Sequence, residues 1–90
     1  MKTVFLAHFL KDLDKIKEKG MMVRVVEIIQ QVETAESIGS IRNLKKLKGH
    51  GIAYRIKVGS YRIGLFIEDD TVEFARIIHR KDIYKKFPGN

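Results

Sequence analysis

Ala53-Tyr54-Arg55-Ile56-Lys57-Val58-Gly59-Ser60-Tyr61-Arg62-Ile63 alternates apolar and basic residues on both sides of a Gly-Ser pair. Successive side chains of a strand point to opposite faces, so Tyr54, Ile56 and Val58 share one face and Arg55 and Lys57 the other. The returning strand repeats the pattern, with Tyr61, Ile63, Leu65 and Ile67 on one side and Arg62 opposite them. Glycine tolerates the positive φ of a two-residue hairpin turn, which makes Val58-Gly59-Ser60-Tyr61 a hairpin signal. The reading predicts a hairpin with its apolar face on a core and three cations, Arg55, Lys57 and Arg62, on a rigid outer surface. Cations mounted on a sheet suit a phosphate held in one position.

Working outward from the hairpin, strands are expected at about 53–58, 60–68 and 71–79, with Asp69-Asp70 making the second turn. Lys2 to Leu6 reads as a short first strand. Apolar positions 6, 9, 10, 13 and 16 follow helical spacing, and Gly20 after Lys17-Glu18-Lys19 resembles a helix C-terminus. Met22, Val25, Val26, Ile29 and Val32 form a second stripe; its β-branched residues favour strands, but interposed Arg24, Glu27, Gln30 and Gln31 break any two-residue alternation. Helices at about 7–18 and 21–35 are therefore expected, paired as an antiparallel hairpin. Residues 37–51 read as a basic connection anchored by Ile41, Leu44 and Leu47. Arg80 to Phe87 allows a short C-terminal helix before Pro88 stops it. Helices on one face of a mainly antiparallel sheet give an α+β fold, here one domain over residues 1–90.

Composition narrows the function. At 90 residues and 44% hydrophobic content, the chain suits one soluble globular domain. No apolar run approaches the roughly 20 residues that span a bilayer, and the N-terminus lacks the pattern of a signal peptide. The absence of cysteine excludes a disulfide framework and suits a cytoplasmic location. Residues 42–90 carry twelve Lys/Arg against five Asp/Glu, while residues 1–41 balance at six each, so the whole +7 lies in the half with the hairpin. Such asymmetry is the footprint of a polyanion binder, or of a solubilising surface. His8, His50 and His79 have no metal-ligand spacing, and no glycine-rich phosphate loop is present; no cofactor or metal is expected.

Leu47-Lys48-Gly49, Tyr54-Arg55-Ile56-Lys57-Val58-Gly59, Tyr61-Arg62-Ile63 and His79-Arg80-Lys81-Asp82-Ile83-Tyr84 together resemble the RelE/ParE superfamily of bacterial type II toxins. The likeness extends over nearly the whole chain, including Phe9-Leu10-Lys11-Asp12-Leu13 in the first helix. It implies the compact RelE-like α+β fold, a cognate antitoxin as partner, and inhibition of growth. RelE-like members cleave mRNA in the ribosomal A site, whereas ParE-like members poison DNA gyrase. Carried over by position, the RelE-type catalytic residues fall on Arg55, Lys57, Arg62, Arg80 and Tyr84. Arg55 stands where RelE has lysine, which keeps the charge but removes a side chain able to give up its proton. Lys45, Lys46, Lys48, Arg76 and Lys81 are expected to contact RNA.

These residue types fit metal-independent RNA cleavage. Attack of the ribose 2′-oxygen on phosphorus needs cations around the phosphorane, and Arg55, Lys57 and Arg62 suit that role. The resemblance assigns Arg80 to the leaving group and Tyr84 to a base or base-stacking role, with four-residue helical spacing setting both on one face. Arginine and tyrosine hold their protons firmly at neutral pH, so an isolated enzyme should be slow and depend on the ribosome to position mRNA. His79 is an extra candidate, placed by alternation on the side of Ala75 and Ile77. His8 looks structural, and His50 reads as a turn residue able to meet RNA.

Plainer roles exist for each side chain. Tyr84 can cap the core, Arg80 can pair with Asp82 or Glu73, and Arg55 and Lys57 can be the solvated face of a half-wet strand. The expected function is a ribosome-dependent endoribonuclease toxin that inhibits translation. The competing readings are a gyrase inhibitor without nuclease activity and a non-catalytic RNA-binding module. The expected partners are mRNA, the ribosome and an acidic antitoxin, with the toxin monomeric when free and hetero-oligomeric with the antitoxin.

Overall fold

The Gly-Ser turn forms as its sequence requires. In a computed structural model describing residues 1–89, Gly59 takes φ 59° between β3 (Ala53–Val58) and β4 (Tyr61–Glu68). Asp69 supplies the positive φ of the next turn, and β5 (Thr71–His79) completes the meander. Ile56 pairs with Ile63 in register, and these two and Leu65 are all buried. The face chosen by the two-residue alternation is therefore the core face.

Two further strands widen the meander to a five-stranded sheet of order β1-β5-β4-β3-β2. β1 (Lys2–Phe5) runs parallel to β5, the one parallel pairing in an otherwise antiparallel sheet. β2 (Leu44–Lys46) lies within the stretch read as a basic connection, and pairs antiparallel with β3. It has only three residues, two of them lysine, which is how proteins blunt an exposed edge. A single 3₁₀ turn, Ile38–Ser40, precedes it.

The helices α1 (Ala7–Lys15) and α2 (Met21–Thr34) lie over the core face. Phe9, Met21, Val25 and Val32 join Ile56, Ile63, Leu65 and Phe74 in the main hydrophobic cluster. α1 ends earlier than its periodicity suggested because Ile16 turns to extended backbone and packs on that cluster. Gly20 (φ 81°) then opens α2 rather than closing α1. The buried stripe of α2 runs through Met21, Val25 and Val32, leaving Met22 50% and Val26 43% exposed; the helix is rotated by one residue from the expected stripe. His8, read as structural, is exposed.

The opposite face is also partly covered. Leu47, Ala53, Ala75, Ile83 and Phe87 make a second, smaller cluster there. α3 is one turn, Ile83–Lys86, shorter than the expected 80–87 segment. Arg80 and Lys81 stay outside it because their backbone is held in a turn: Arg80 N–H donates to Ser60 O (2.8 Å) and Lys81 N–H to His79 Nδ1 (3.2 Å). Phe87 lies on Gly64, where an added Cβ would meet the ring at 2.8 Å. A glycine inside a strand marks such close approach. Gly64 also borders a β-bulge: Gly64 pairs with Arg76 but Leu65 with Phe74, so Ala75 is the extra residue. Alternation fails at that point, and Ala75 packs with the small cluster while Ile77 packs with the large one, not on one side as expected.

β1 ends at Phe5, so β5 continues past it with an unpaired edge. Asp12 of α1 occupies that edge. Its Oδ2 accepts from Ile77 N–H (3.0 Å) and from Arg76 Nε (2.8 Å), while Oδ1 accepts from Arg76 Nη2 (3.1 Å). Both side chains are largely buried, at 7% and 15% exposure. Removing one partner of a buried ion pair strands the other and costs roughly 3–5 kcal/mol. Asp12→Ala should lower the urea midpoint by that equivalent, and Asp12→Asn, which keeps an acceptor for Ile77, by clearly less. An Asp12→Ala protein as stable as wild type would refute the edge-capping role. Gly64→Ala should cost about 1–3 kcal/mol through overpacking against Phe87, read as loss of protease protection of the α3 segment ahead of the sheet.

Candidate functional site

The register brings the cations of the hairpin together. Lys57 pairs directly with Arg62 across β3–β4, and Arg55 pairs with Lys45 across β2–β3. Like charges directly opposite each other destabilise a sheet. That cost falls when an anion lies between them, so the arrangement can accommodate a bound negative charge. Among the described residues, the Asp12–Arg76 pair is the only ion pair. Arg55, Lys57, Arg62 and Arg80 thus have no carboxylate partner, and the pairing of Arg80 with Asp82 or Glu73 does not form.

Each cation is held differently. Lys57 is exposed, while Arg62 is half-buried and turned toward the hairpin tip. Its Nη1 donates to Gly59 O (3.1 Å) and Tyr61 O (2.9 Å), fixing the guanidinium plane. Arg80 is exposed, and its backbone bond to Ser60 sets it beside the same turn. Arg55, in the middle of β3, donates from Nε to the Tyr84 hydroxyl at 3.0 Å. Tyr84 is 66% exposed, so it does not cap the core. Its oxygen accepts from a cation, leaving its own proton free to be donated.

Arg80 and Tyr84 do not share a helix face, because α3 begins at Ile83. They approach the cationic face from two separate anchors, the Ser60 contact for Arg80 and the Arg55 bond for Tyr84. The peripheral residues divide. Lys45, Lys46, Lys48 and Lys81 are exposed. Arg76 is committed to Asp12 and belongs to the fold. His79 pairs with Tyr61 across β4–β5, with the rings edge-on at 5.7 Å, and its Nδ1 accepts from Lys81 N–H. Among the described residues, no three His, Asp or Glu side chains come together as metal ligands would.

Two residues that shape the site carry no charge. Gly64 faces Arg55 in register, and its missing side chain lets Phe87 seat α3 so that Tyr84 reaches Arg55. A glycine in the middle of an apolar strand was the available signal.

Residues 4–84 match the family described as the ParE toxin of type II toxin-antitoxin system, parDE. The chain is 39% identical over 89 residues to Toxin RelE3 of Methanocaldococcus jannaschii, covering 98% of this chain and 100% of that protein. The toxin-bearing RelB-RelE antitoxin-toxin complex from Methanococcus jannaschii contains a chain of similar fold. The TM-score is 0.79 with 38% identity, over 94% of this chain and 99% of that one. The isolated E. coli RelE toxin matches in fold at TM-score 0.64 and 19% identity, over 94% of this chain and 92% of that one. With its five-stranded sheet, two helices over the core face and short C-terminal helix, the chain belongs to the ParE toxin family of type II toxin–antitoxin systems, within the RelE/ParE superfamily.

Proposed function

We propose that this toxin is a metal-independent endoribonuclease that cleaves translated mRNA on the ribosome. The observation that carries the reading is the direct pairing of Lys57 with Arg62, two cations on a rigid sheet without a carboxylate partner among the described residues. In the reaction, the ribose 2′-oxygen loses its proton and bonds to the adjacent phosphorus. The bond from phosphorus to the 5′-oxygen breaks, and that oxygen takes a proton. The products are a 2′,3′-cyclic phosphate and a 5′-hydroxyl. Lys57 and Arg62 stabilise the charge on the phosphorane, with Arg55 contributing from the neighbouring position. Arg80 attends the leaving 5′-oxygen. Tyr84, accepting from Arg55, presents its proton to the substrate or stacks on a base. Without a histidine or carboxylate in this set, proton transfer is slow, and catalysis rests on the ribosome holding the mRNA in an in-line geometry.

The second reading, gyrase inhibition without cleavage, is favoured by the ParE description of the matched family. Induced expression with mapping of mRNA 5′ ends and measurement of plasmid supercoiling separates the two. New 5′ ends with unchanged supercoiling support the nuclease, and the reverse pattern supports gyrase poisoning. Lys57→Ala, Arg62→Ala and Arg80→Ala should each lower ribosome-dependent cleavage by about 10²–10³-fold. Lys45→Ala and Lys46→Ala should instead weaken binding and flatten its salt dependence. Wild-type cleavage by the Arg62→Ala and Arg80→Ala proteins would sink the mechanism.

The partner proposed for this chain is an antitoxin, by likeness to the RelB-RelE complex. A net charge of +7 concentrated in one half calls for an acidic partner, disordered when free and folding as it wraps the toxin. Association should be fast and slow down with added salt. Co-purification with the product of the adjacent small gene, followed by titration at two salt concentrations, tests this. A salt-independent association rate would count against the acidic partner.

A further inference from the structure

Three successive backbone amides follow β5, and all three are bound. Arg80 N–H donates to Ser60 O (2.8 Å), Lys81 N–H to His79 Nδ1 (3.2 Å) and Asp82 N–H to His79 O (2.8 Å). Two of the three acceptors belong to His79, one on its ring and one on its backbone. With Ser60 they fix the chain on both sides of Arg80, where the sheet hands over to α3 and Tyr84. A side chain that accepts from the amide two residues on does what Asn or Asp does in an Asx-turn.

The ring lies on the wrong side of the sheet to touch a phosphate on the cationic face. His79 pairs with Tyr61, which packs on the main core cluster, whereas Arg62 pairs with Lys57 and with Ile78. Partners in register share a face, so His79 is on the helix side and half-buried, edge-on to the Tyr61 ring at 5.7 Å. The charged and titratable groups about it are the Tyr61 hydroxyl from β4, Arg80 and Lys81 from its own segment, and Arg24 of α2 at the neighbouring Gly59 turn. Asp12 of α1 reaches β5 as well, but its carboxylate is taken by Arg76 and Ile77. Among the described residues no carboxylate pairs with His79. With Nδ1 accepting, the neutral ring keeps its proton on Nε2; a doubly protonated ring donates from both nitrogens and has to release the Lys81 amide.

We propose that His79 is a positioning residue: its neutral ring latches the turn after β5 and thereby aims Arg80 at the cationic face. The use of Arg80 in cleavage rests on the ribonuclease reading, but the latch is read without it. Ring-nitrogen NMR of the free toxin should show the Nε2–H tautomer, and the Lys81 amide should exchange slowly until His79 is protonated. His79→Leu keeps an apolar group beside Tyr61 but has no acceptor. His79→Asn keeps an acceptor for the Lys81 amide and does not titrate. By amide nitrogen relaxation, Arg80 and Lys81 are expected to gain fast motion in His79→Leu and to stay as ordered as wild type in His79→Asn. In mRNA cleavage on ribosomes, His79→Leu should lower kcat about three- to tenfold with KM unchanged, the worth of one hydrogen bond. Wild-type kcat should fall as pH drops through the imidazole range; His79→Asn should restore most of the neutral-pH rate and lack that acid loss.

An Nδ1–H tautomer, or a Lys81 amide indifferent to protonation of His79, would overturn the latch. A loss in His79→Asn as deep as in His79→Leu would make the imidazole a proton carrier and overturn the positioning role. A wild-type toxin that shows the latch yet makes no mRNA cuts would leave the latch standing and defeat the ribonuclease reading. Cuts made at the wild-type rate by His79→Leu would do the reverse.

Discussion

The seat of Phe87 on Gly64 decides how this protein uses the second face of its sheet. A single helical layer would leave that face wholly wet. Here the ring draws the chain after β5 back across β4, and Ile83 follows it into contact with Leu47, Ala53 and Ala75. The outer face is thereby graded along the hairpin. It is apolar and covered at Ala53 and Phe66, mixed at Arg55 and Gly64, and cationic and open at Lys57 and Arg62. Tyr84 stands over the middle of that gradient, held by Arg55. An aromatic side chain fixed beside unpaired cations is a consequence of hydrophobic packing some residues away, at a position with no side chain at all.

The sheet's two margins are treated differently, and each treatment shapes the cationic face. On one side, the three-residue β2 sets Lys45 directly beside Arg55, adding charge where the face is mixed. On the other, the free stretch of β5 beyond β1 is closed by the carboxylate of Asp12, which takes both a backbone N–H and a guanidinium. A cation is consumed there. Arg76 lies in the same cross-strand row as Lys45, Arg55 and Gly64, yet its charge is spent inside the structure. The free positive surface among the described residues is accordingly narrower than the count of lysines and arginines suggests.

The hairpin was legible because alternation holds on each side of the Gly59-Ser60 turn, and burial of alternate residues leaves only one register. The RelE/ParE likeness rested on this stretch together with Leu47–Gly49, His79–Tyr84 and the first helix, and the fold agrees with it. What escaped the sequence was long-range or local in a way that periodicity cannot encode. Leu44–Lys46 pairs with β3 through backbone bonds, so its lysines carry no strand signature. The bulge at Gly64/Leu65 adds one residue on the β5 side and shifts every face assignment before it. Arg76 looked like another surface cation because its partner, Asp12, is 64 residues away in sequence. Met22 and Val26 fit a helical stripe as well as Met21 and Val25 do; only the docking angle of α2 separates them. For the site, the residues were nameable but their connections were not. The Arg55–Tyr84 bond depends on where Phe87 settles.

The parallel pairing of β1 with β5 has a consequence for how the protein comes into being. Lys2–Phe5 finds its hydrogen-bond partners at Thr71–Phe74, and Asp12 finds its own at Arg76 and Ile77. β1 and α1 therefore wait for β5, and contacts of such sequence separation are slow to close. A nascent chain lacking the region beyond residue 70 has neither a completed sheet nor the segment bearing Arg80 and Tyr84. Completion of the sheet thus waits for the residues beyond 70, and a chain halted before them would hold only an unfinished fold.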